Sequence, residues 1–568
     1  MSVFRRVWWC LPMLVMLGAC TYVSPTPDIT GQDIRLTVLH ISDIHARILP
    51  YDMVPNTTDQ NLGLLKDRGP YGGIARMAHI IRRERAKAGR NILVDSGDCF
   101  QGAPIFNVFH GEVEMRAMSL LKPTAVVVGN HEFDQGASNY AKQMETWASF
   151  ESIAANYVFE DFEEDWANTL GNMVHPYVHT NIDGLRVAII GMGNLSSLNS
   201  ITEAGNSLGI IPLDTVQTAR DYVNLLRPYA DLVMIVSHLG LEDDTLIAKQ
   251  VEGVDVIMGG HLHVALKPPL EVVGPTGKKV LMVHSGAFAK YVGRLDLVIR
   301  DGEILSHQYD LFPVDRDVPD DPEMLDMLDP YVTELAVNYD FDRVVGTATE
   351  DIQRFGDGGG DSALGNFVAE SMQYRNRVET DFAVVNTLGI RTDVYAGDIT
   401  VEALYNVLPF DNTITTMILS GPEVQDVFNY IARRSADRGC QAQAQISGAR
   451  FVMNCTTGMA EDISIGGSWM PCETTDECRS MGDDRAGEEC IQFRCTLPLN
   501  PNGVYEMATS DYLAEGGSGF EMLAQNTTQF DTGIDIRSAV IDYLERHPVI
   551  PDDDSHIAVS DGRITAVH

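Results

Sequence analysis

Positive charge is scarce in this chain. Its 568 residues include 41 lysines and arginines against 80 aspartates and glutamates, a formal net charge of −39. The acid is spread along the chain and not gathered in one tail, so it reads as a solvated surface and disfavours a nucleic-acid polymer as partner. Cys-x-x-Cys pairs are also missing, and no histidine lies between Gly421 and Arg546. The cysteine-dense stretch in that region is therefore read as a disulfide framework and not as a zinc knot. The glycines of Gly356-Asp357-Gly358-Gly359-Gly360-Asp361 have no Lys-Ser/Thr after them, which makes them a flexible turn and not a P-loop. No internal repeat is found. The apolar run from Val7 to Leu17 is too short to cross a bilayer comfortably.

That run has the layout of an address. Arg5 and Arg6 precede it and Leu17-Gly18-Ala19-Cys20 follows it, as in an export signal. The tetrapeptide resembles a bacterial lipobox. Residues 1–19 are thus expected to be removed, Cys20 to be acylated, and residues 20–32, with Pro25 and Pro27, to tether an exported protein to a membrane, at the outer membrane, the periplasm or the cell surface. Cysteine usage agrees with export. Cys440, Cys455, Cys472, Cys478, Cys490 and Cys495 cluster, and an even set in an exported chain predicts three disulfides. Cys99, alone beside Asp98, reads as a small buried residue.

A chain this long is expected to divide into domains. Strand-like and helical runs, such as 74–85 and 215–226, alternate over residues 33–313, an α/β pattern. Pro322 and the apolar spacing from Met324 to Ala336 predict a connecting helix within 314–340. A second α/β domain is expected over 341–548, with helices over 363–374 and from Gly421-Pro422 onward. A disulfide-stapled surface insertion at 436–502 would interrupt it, and residues 549–568 would form a tail.

Five polar groups stand directly after apolar, β-branched runs: Asp43 with His45; Asp98; Asn130 with His131 and Asp134; His238; and His261 with His263. The runs fit buried strands, and open α/β sheets bind ligands beyond the carboxyl ends of their strands. These donors suffice for two divalent cations. Asp43 and His45 can reach one, His263 can complete its shell, and the two oxygens of Asp98 can bridge cations about 3.5–4 Å apart. Asn130 offers a neutral carbonyl oxygen, and His238 and His261 neutral imidazoles, a set that suits Zn, Mn, Fe or Co without choosing among them. His131 is left over. With Asp134 three residues on, it can be kept protonated to stabilise charge on a phosphoryl group or leaving oxygen. The expected chemistry is in-line attack of metal-bound hydroxide on phosphorus, aided by Asn130 and His131, with no covalent phosphoenzyme.

The motifs Ser42-Asp43-Ile44-His45, Ser96-Gly97-Asp98 with Gln101-Gly102, Gly129-Asn130-His131-Glu132-Phe133-Asp134 and Gly259-Gly260-His261-Leu262-His263 resemble those of the 5′-nucleotidase family, which includes UDP-sugar hydrolases and periplasmic nucleotidases. The resemblance spans nearly the whole mature chain. It implies a four-layer αββα calcineurin-like metallophosphoesterase domain, a connecting helix, and a C-terminal α/β domain that binds the organic part of the substrate and rotates to deliver it. It also implies one cation on Asp43, His45, Asp98 and His263, a second on Asp98, Asn130, His238 and His261, and hydrolysis of nucleoside 5′-monophosphates or related nucleotides. In the second domain, Asn386-Thr387-Leu388-Gly389-Ile390-Arg391 resembles the family's Asn-Gly-Gly-Gly-Ile-Arg, which implies base and phosphate contacts for Asn386 and Arg391. Leu408-Pro409-Phe410 and Thr509-Ser510-Asp511-Tyr512-Leu513-Ala514 resemble the segments whose rings clamp a nucleobase, here Phe410 and Tyr512.

Two departures bear on the substrate. Ser518 of Gly516-Gly517-Ser518-Gly519 replaces the aspartate that the family sets on the ribose hydroxyls, and a hydroxyl is a poorer acceptor than a carboxylate. The glycine turn before Ser362 stands where an arginine is expected, leaving Arg354 as the nearest substitute. The same superfamily supplies alternatives: a 2′,3′-cyclic phosphodiesterase and 3′-nucleotidase, a nucleotide-sugar pyrophosphatase, or a thiosulfohydrolase. A reading of another class is a surface binding protein that uses the Cys-rich insertion. The complete ligand set argues against it.

Overall fold

The computed structural model describes residues 27–568 apart from 54, 56, 66–68, 160–164, 195–209, 376–377, 379, 467–488, 492–493 and 553–556. The expected signal and its Cys20 lie outside the described residues.

Strands buried on both faces, such as Asn91–Asp95, Ala125–Val127, Leu232–Ser237 and Val256–Gly259, form the middle of the first domain's two sheets. One sheet has seven strands in the order Glu303–Pro313, Tyr291–Arg300, Ile34–Ile41, Asn91–Asp95, Ala125–Val127, Ser152–Ile153 and Val174–His175. A second has six, in the order Leu270–Val273, Lys279–His284, Val256–Gly259, Leu232–Ser237, Leu185–Met192 and Tyr177–Ile182. Alternate side chains serve opposite faces of each strand. Val38, Val94 and Val127 of the first sheet meet Val187, Met234 and Val256 of the second in one core. Leu39, Ile41, Leu93 and Val126 turn the other way and pack with Ile80, Met115 and Met118, which belong to the helices Ile74–Lys87 and Glu112–Leu121. On the far side, Ile190, Ile235 and Ile257 pack with Ala219, Val223 and Ile247 of the helices Thr215–Leu226 and Leu241–Gln250. The result is the four-layer αββα arrangement.

The connecting helix is Pro322–Asn338. Asp321 caps it by accepting the Met324 N–H at 3.1 Å, and Pro322 occupies a first-turn position where no N–H is needed. Met324, Leu328, Tyr331 and Leu335 are buried in the core of the first domain, so the helix packs on that domain.

The second domain is built on a five-stranded sheet, ordered Ala444–Ser447, Phe382–Asn386, Val504–Ser510, Thr413–Ser420 and Phe530–Asp535. The helices Ala363–Gln373 and Ile536–Arg546 share one apolar cluster with it, and Gly421–Ala436 shares another. That last helix opens with a capping box between Ser420 and Glu423, which satisfies two otherwise unpaired donors.

Residues 436–502 are not a surface insertion throughout. Ala444–Ser447 is a strand of the central sheet, paired antiparallel with Phe382–Asn386. The next strands, Ala449–Asn454 and Met459–Ile465, bury Phe451, Met453, Ile463 and Ile465 against the helix Gly421–Ala436. These strands are short and separated by turns, so their Gly, Asp and Thr content masks them in the sequence. Cys440 and Cys455 form a disulfide. Cys472 and Cys478 lie outside the described residues, and Cys490 and Cys495 are backbone partners in an antiparallel strand pair. The segment read as a tail supplies Val549–Ile550, parallel to Val344–Ala348, and Ile564–Val567, parallel to Ala449–Asn454.

Candidate metal centre

All five polar groups fall just past carboxyl ends of strands, as a sheet-edge site requires. Asp43 and His45 follow Ile34–Ile41, Asp98 follows Asn91–Asp95, Asn130 and His131 follow Ala125–Val127, His238 follows Leu232–Ser237, and His261 and His263 follow Val256–Gly259. The turns are tight. Asp43, His45, Asp98, His261 and His263 have φ of 50°, 51°, 55°, 75° and 58°, a region costly for side chains other than glycine's and concentrated at functional sites. Two glycines make room. A Cβ on Gly129 would stand 2.3 Å from Asp98 Oδ1, and one on Gly260 would stand 2.6 Å from Ser42 Oγ and 3.0 Å from Asp43 Oδ2.

Asp43, His45 and His263 form one group of donors and Asp98, His238 and His261 another; His45, Asp98 and His131 form a third, and within each the donor atoms lie within 4.8 Å of one another. His238 Nδ1 is 2.6 Å from the Ser96 carbonyl, which fixes a proton on Nδ1 and turns Nε2 toward Asp98 Oδ2 at 2.8 Å. His45 Nδ1 faces the Gln101 carbonyl at 3.0 Å, so its Nε2 is a bare lone pair, 2.9 Å from His263 Nε2. Lone pairs converging in this way need a proton or a cation between them. Asn130 Oδ1 is buried with no hydrogen-bond partner among the described residues. The donor set fits divalent cations, with imidazoles oriented by carbonyls behind them.

The electrostatics agree. Burial pushes His261 down to about 3 and holds His45 and His263 well below the ordinary imidazole range, which keeps their lone pairs free. Burial opposes ionisation of Asp98, but His238, His131 and His45 outweigh it and hold that carboxyl well below its usual range. His238 and His131 behave differently. Burial works against the charge of both, yet Asp98 raises His238 to about 10, and Asp134 and Asp98 raise His131 above the ordinary value, its Nδ1 lying 2.7 Å from Asp134 Oδ2.

The second domain reaches this centre through Phe410 and Arg391. The Phe410 ring is 5.9 Å from that of His131, and the Arg391 guanidinium lies 5.7 Å from the Phe410 ring centre. Burial and then Arg354 lower Arg391 to about 10. Arg354 stands behind it, donating to the Arg391 carbonyl at 2.5 Å and the Ile390 carbonyl at 3.3 Å, so it braces the loop. Asn386 is buried at the end of Phe382–Asn386. Tyr512 and Ser518 pair with each other, the Ser518 N–H donating to the Tyr512 hydroxyl at 2.9 Å.

A family model described as calcineurin-like phosphoesterase matches residues 36–265, and one for the 5′-nucleotidase C-terminal domain matches residues 344–525. The chain belongs to the 5′-nucleotidase family of metallophosphoesterases. It is 27% identical over 579 residues to a snake venom 5′-nucleotidase from Crotalus adamanteus, covering 95% of this chain and 89% of that protein. To the 5′-nucleotidase of Vibrio parahaemolyticus it is 26% identical, covering 91% and 90%. Among solved structures, a 5′-nucleotidase precursor from Thermus thermophilus superposes with a TM-score of 0.78 at 26% identity, covering 94% of this chain and 99% of that one. Like that family, this protein is a hydrolase.

Some neighbours of the site in this 5′-nucleotidase family member escape sequence reasoning. The Phe288 ring packs 5.4 Å from His45 and 4.7 Å from His263, and nothing in its local pattern marks it. Arg47 hydrogen-bonds Asn406 of the second domain. Asn107 donates to the Pro409 carbonyl at 2.8 Å and to Asp411 Oδ1 at 3.0 Å. Glu132 lies inside the motif of residues 129–134, and its carboxylate accepts backbone N–H groups of Asp98, Cys99 and Gly129.

Proposed function

We propose that the protein is an exported phosphohydrolase, dependent on two divalent cations, that releases phosphate from nucleoside 5′-monophosphates or related nucleotides. The observation that carries the proposal is the position of Asp98: it shares one donor group with His238 and His261, and its Oδ2 also lies 3.8 Å from Nε2 of His45, a member of the group formed with Asp43 and His263. Asp43, His45, Asp98 and His263 would hold one cation, and Asp98, Asn130, His238 and His261 the other. Cations bound there supply an activated water and neutralise charge on the phosphoryl oxygens.

The protein's own groups do the rest. Asp134 takes up Nδ1 of His131, so Nε2 is the nitrogen left to donate to a phosphoryl or leaving oxygen. Arg391 offers a guanidinium to the phosphate. Phe410 presents a ring face to the base, with Tyr512 as the opposing ring, and Asn386 lies at the base contact. Ser518 offers the ribose a neutral hydroxyl where a carboxylate would bind more strongly. Export with a lipid on Cys20 is supported by the basic, apolar and small-residue layout of the first twenty residues.

The deciding experiment measures phosphate release from nucleoside 5′-monophosphates, 2′,3′-cyclic nucleotides, nucleotide sugars and simple phosphomonoesters, with and without added Mn or Zn. Metal-dependent release that favours nucleoside monophosphates is expected. Hydrolysis of cyclic or sugar nucleotides alone would sink the substrate assignment, and full activity in the metal-stripped protein would sink the role of the cations.

A further inference from the structure

We infer that Glu132 is a positioning residue that holds the Asp98 loop and the Asn130–His131 loop in register, so that the donors keep their spacing before any cation arrives. Glu132 is 3% exposed. Its Oε1 accepts the backbone N–H of Cys99 at 2.7 Å and of Phe100 at 3.4 Å, and its Oε2 accepts those of Gly129 at 2.8 Å and Asp98 at 3.2 Å. Both oxygens are therefore spent on the backbone, and the residue appears in none of the donor groups that could hold a cation. It is a brace and not a ligand.

The tie runs in both directions. While Glu132 of the second loop accepts from the first, Asp98 Oδ1 of the first accepts the His131 N–H of the second at 2.9 Å. Two carboxylates, one of them (Asp98) lying between His45 and His238, cross-link the same two turns. Gly129 sits at the crossing, where a Cβ would stand 2.3 Å from Asp98 Oδ1 and 2.8 Å from Glu132 Oε2. A carboxylate that accepts several backbone N–H bonds makes charge-assisted contacts stronger than neutral ones. Ligands locked by such surrounding bonds lose less freedom on binding a metal. The short turn His131–Phe133 needs no such acid for its own closure, so the bonds across to Cys99 and Phe100 are the distinguishing feature.

This inference rests on the assignment of Asp98 and Asn130 as ligands, and its test separates the two. Mn(II) is titrated calorimetrically into the metal-free full chain. Wild-type protein binding fewer than two equivalents would overturn the ligand assignment. Given two equivalents, Glu132→Gln, which keeps the volume but turns one acceptor oxygen into a donor facing N–H groups, is expected to weaken Mn(II) binding tenfold or more. A merely structural residue would lower the melting temperature of the metal-free protein and leave the affinity of the folded fraction alone, so wild-type affinity in this variant overturns the proposal. A second measurement needs no variant. In the metal-free wild-type protein the amides of Asp98, Cys99 and Phe100 are expected to be protected from hydrogen exchange, and rapid exchange of these amides in the folded state would equally overturn the proposal.

Discussion

The surroundings of both His238 and His131 favour the charged imidazole, but His238 has both ring nitrogens engaged, whereas Asp134 takes only Nδ1 of His131. Asp134 holds Nδ1 at 2.7 Å, and the neighbouring acids raise the imidazole despite its burial. General-acid assistance of this kind is worth roughly 10²–10⁴ in rate. His131→Ala is thus expected to lower kcat by that factor in a phosphate-release assay, with the metal content unchanged by elemental analysis; unchanged turnover would remove His131 from the chemistry. The donors that the structure brings together, and this pair, were legible in the sequence as candidates because each is a short local pattern after a strand-like run. Phe288 was not, since its place against His45 and His263 arises only when the loop after Lys279–His284 folds over the loop after Ile34–Ile41. Arg354 is the arginine nearest in sequence to the glycine turn, but its hydrogen bonds to the Ile390 and Arg391 carbonyls cannot be read from a chain position.

Among the elements, the helix Glu112–Leu121 carries an unusual burden. Glu114 is fully buried, neither carboxyl oxygen has a hydrogen-bond partner among the described residues, and burial raises the group from 4.5 to about 8. Between those values the folded state keeps a proton that the unfolded state has lost, so the stability from this group is present below about pH 4.5 and declines as pH rises toward 8. Glu114→Gln is expected to flatten that decline, giving a higher urea midpoint than wild type at pH 9 and a similar one at pH 5. The same midpoint difference at both values would show that the carboxyl is not the cause. At the other end of the chain, Arg563 donates to Glu370 at 2.9 Å, to Asp561 at 2.9 Å and to the Ile446 carbonyl at 3.2 Å. It locks the Ile564–Val567 strand onto the second domain. Removing one member of such a buried ionic group costs about 3–5 kcal/mol, so Arg563→Ala should lose that much in denaturant unfolding, and a loss below 1 kcal/mol would mean the lock is superficial. Helix and strand types were readable from periodicity in 322–338, 363–373 and the sheet strands. The short strands after Cys440 were not, because a pattern of four to seven residues broken by turns carries too little repeat to separate it from loop.

Across the whole molecule, the two domains meet where the chemistry is. Arg47 bonds Asn406, and Asn107 bonds Pro409 and Asp411 on either side of Phe410. A hydrogen bond of this kind contributes about 1 kcal/mol, roughly fivefold in an equilibrium. Asn107→Ala is therefore expected to raise KM for a nucleoside monophosphate about fivefold while leaving kcat for a small phosphomonoester unchanged. Equal losses on both substrates would place the effect in the metal domain and not in the placement of Phe410. The division into two α/β units was legible in the sequence, because the helix predicted within 314–340 interrupts the strand-helix rhythm. How the units face one another was not, since contacts between residues hundreds of positions apart leave no local trace.

The order of strands also sets an order of assembly. Ile34–Ile41 lies inside the seven-stranded sheet with one flank filled by Tyr291–Arg300, and Ile34 pairs with Ile299. Every proposed ligand, from Asp43 to His263, precedes that flanking strand in the chain. A growing or threading polypeptide therefore carries all its donors before the wall behind the first of them exists, and closing so long a loop comes late in folding. Any cation held by the finished pocket would enter after the hairpin of Tyr291–Arg300 and Glu303–Pro313 has docked, so the metals present where the protein completes its fold would set which one it takes up.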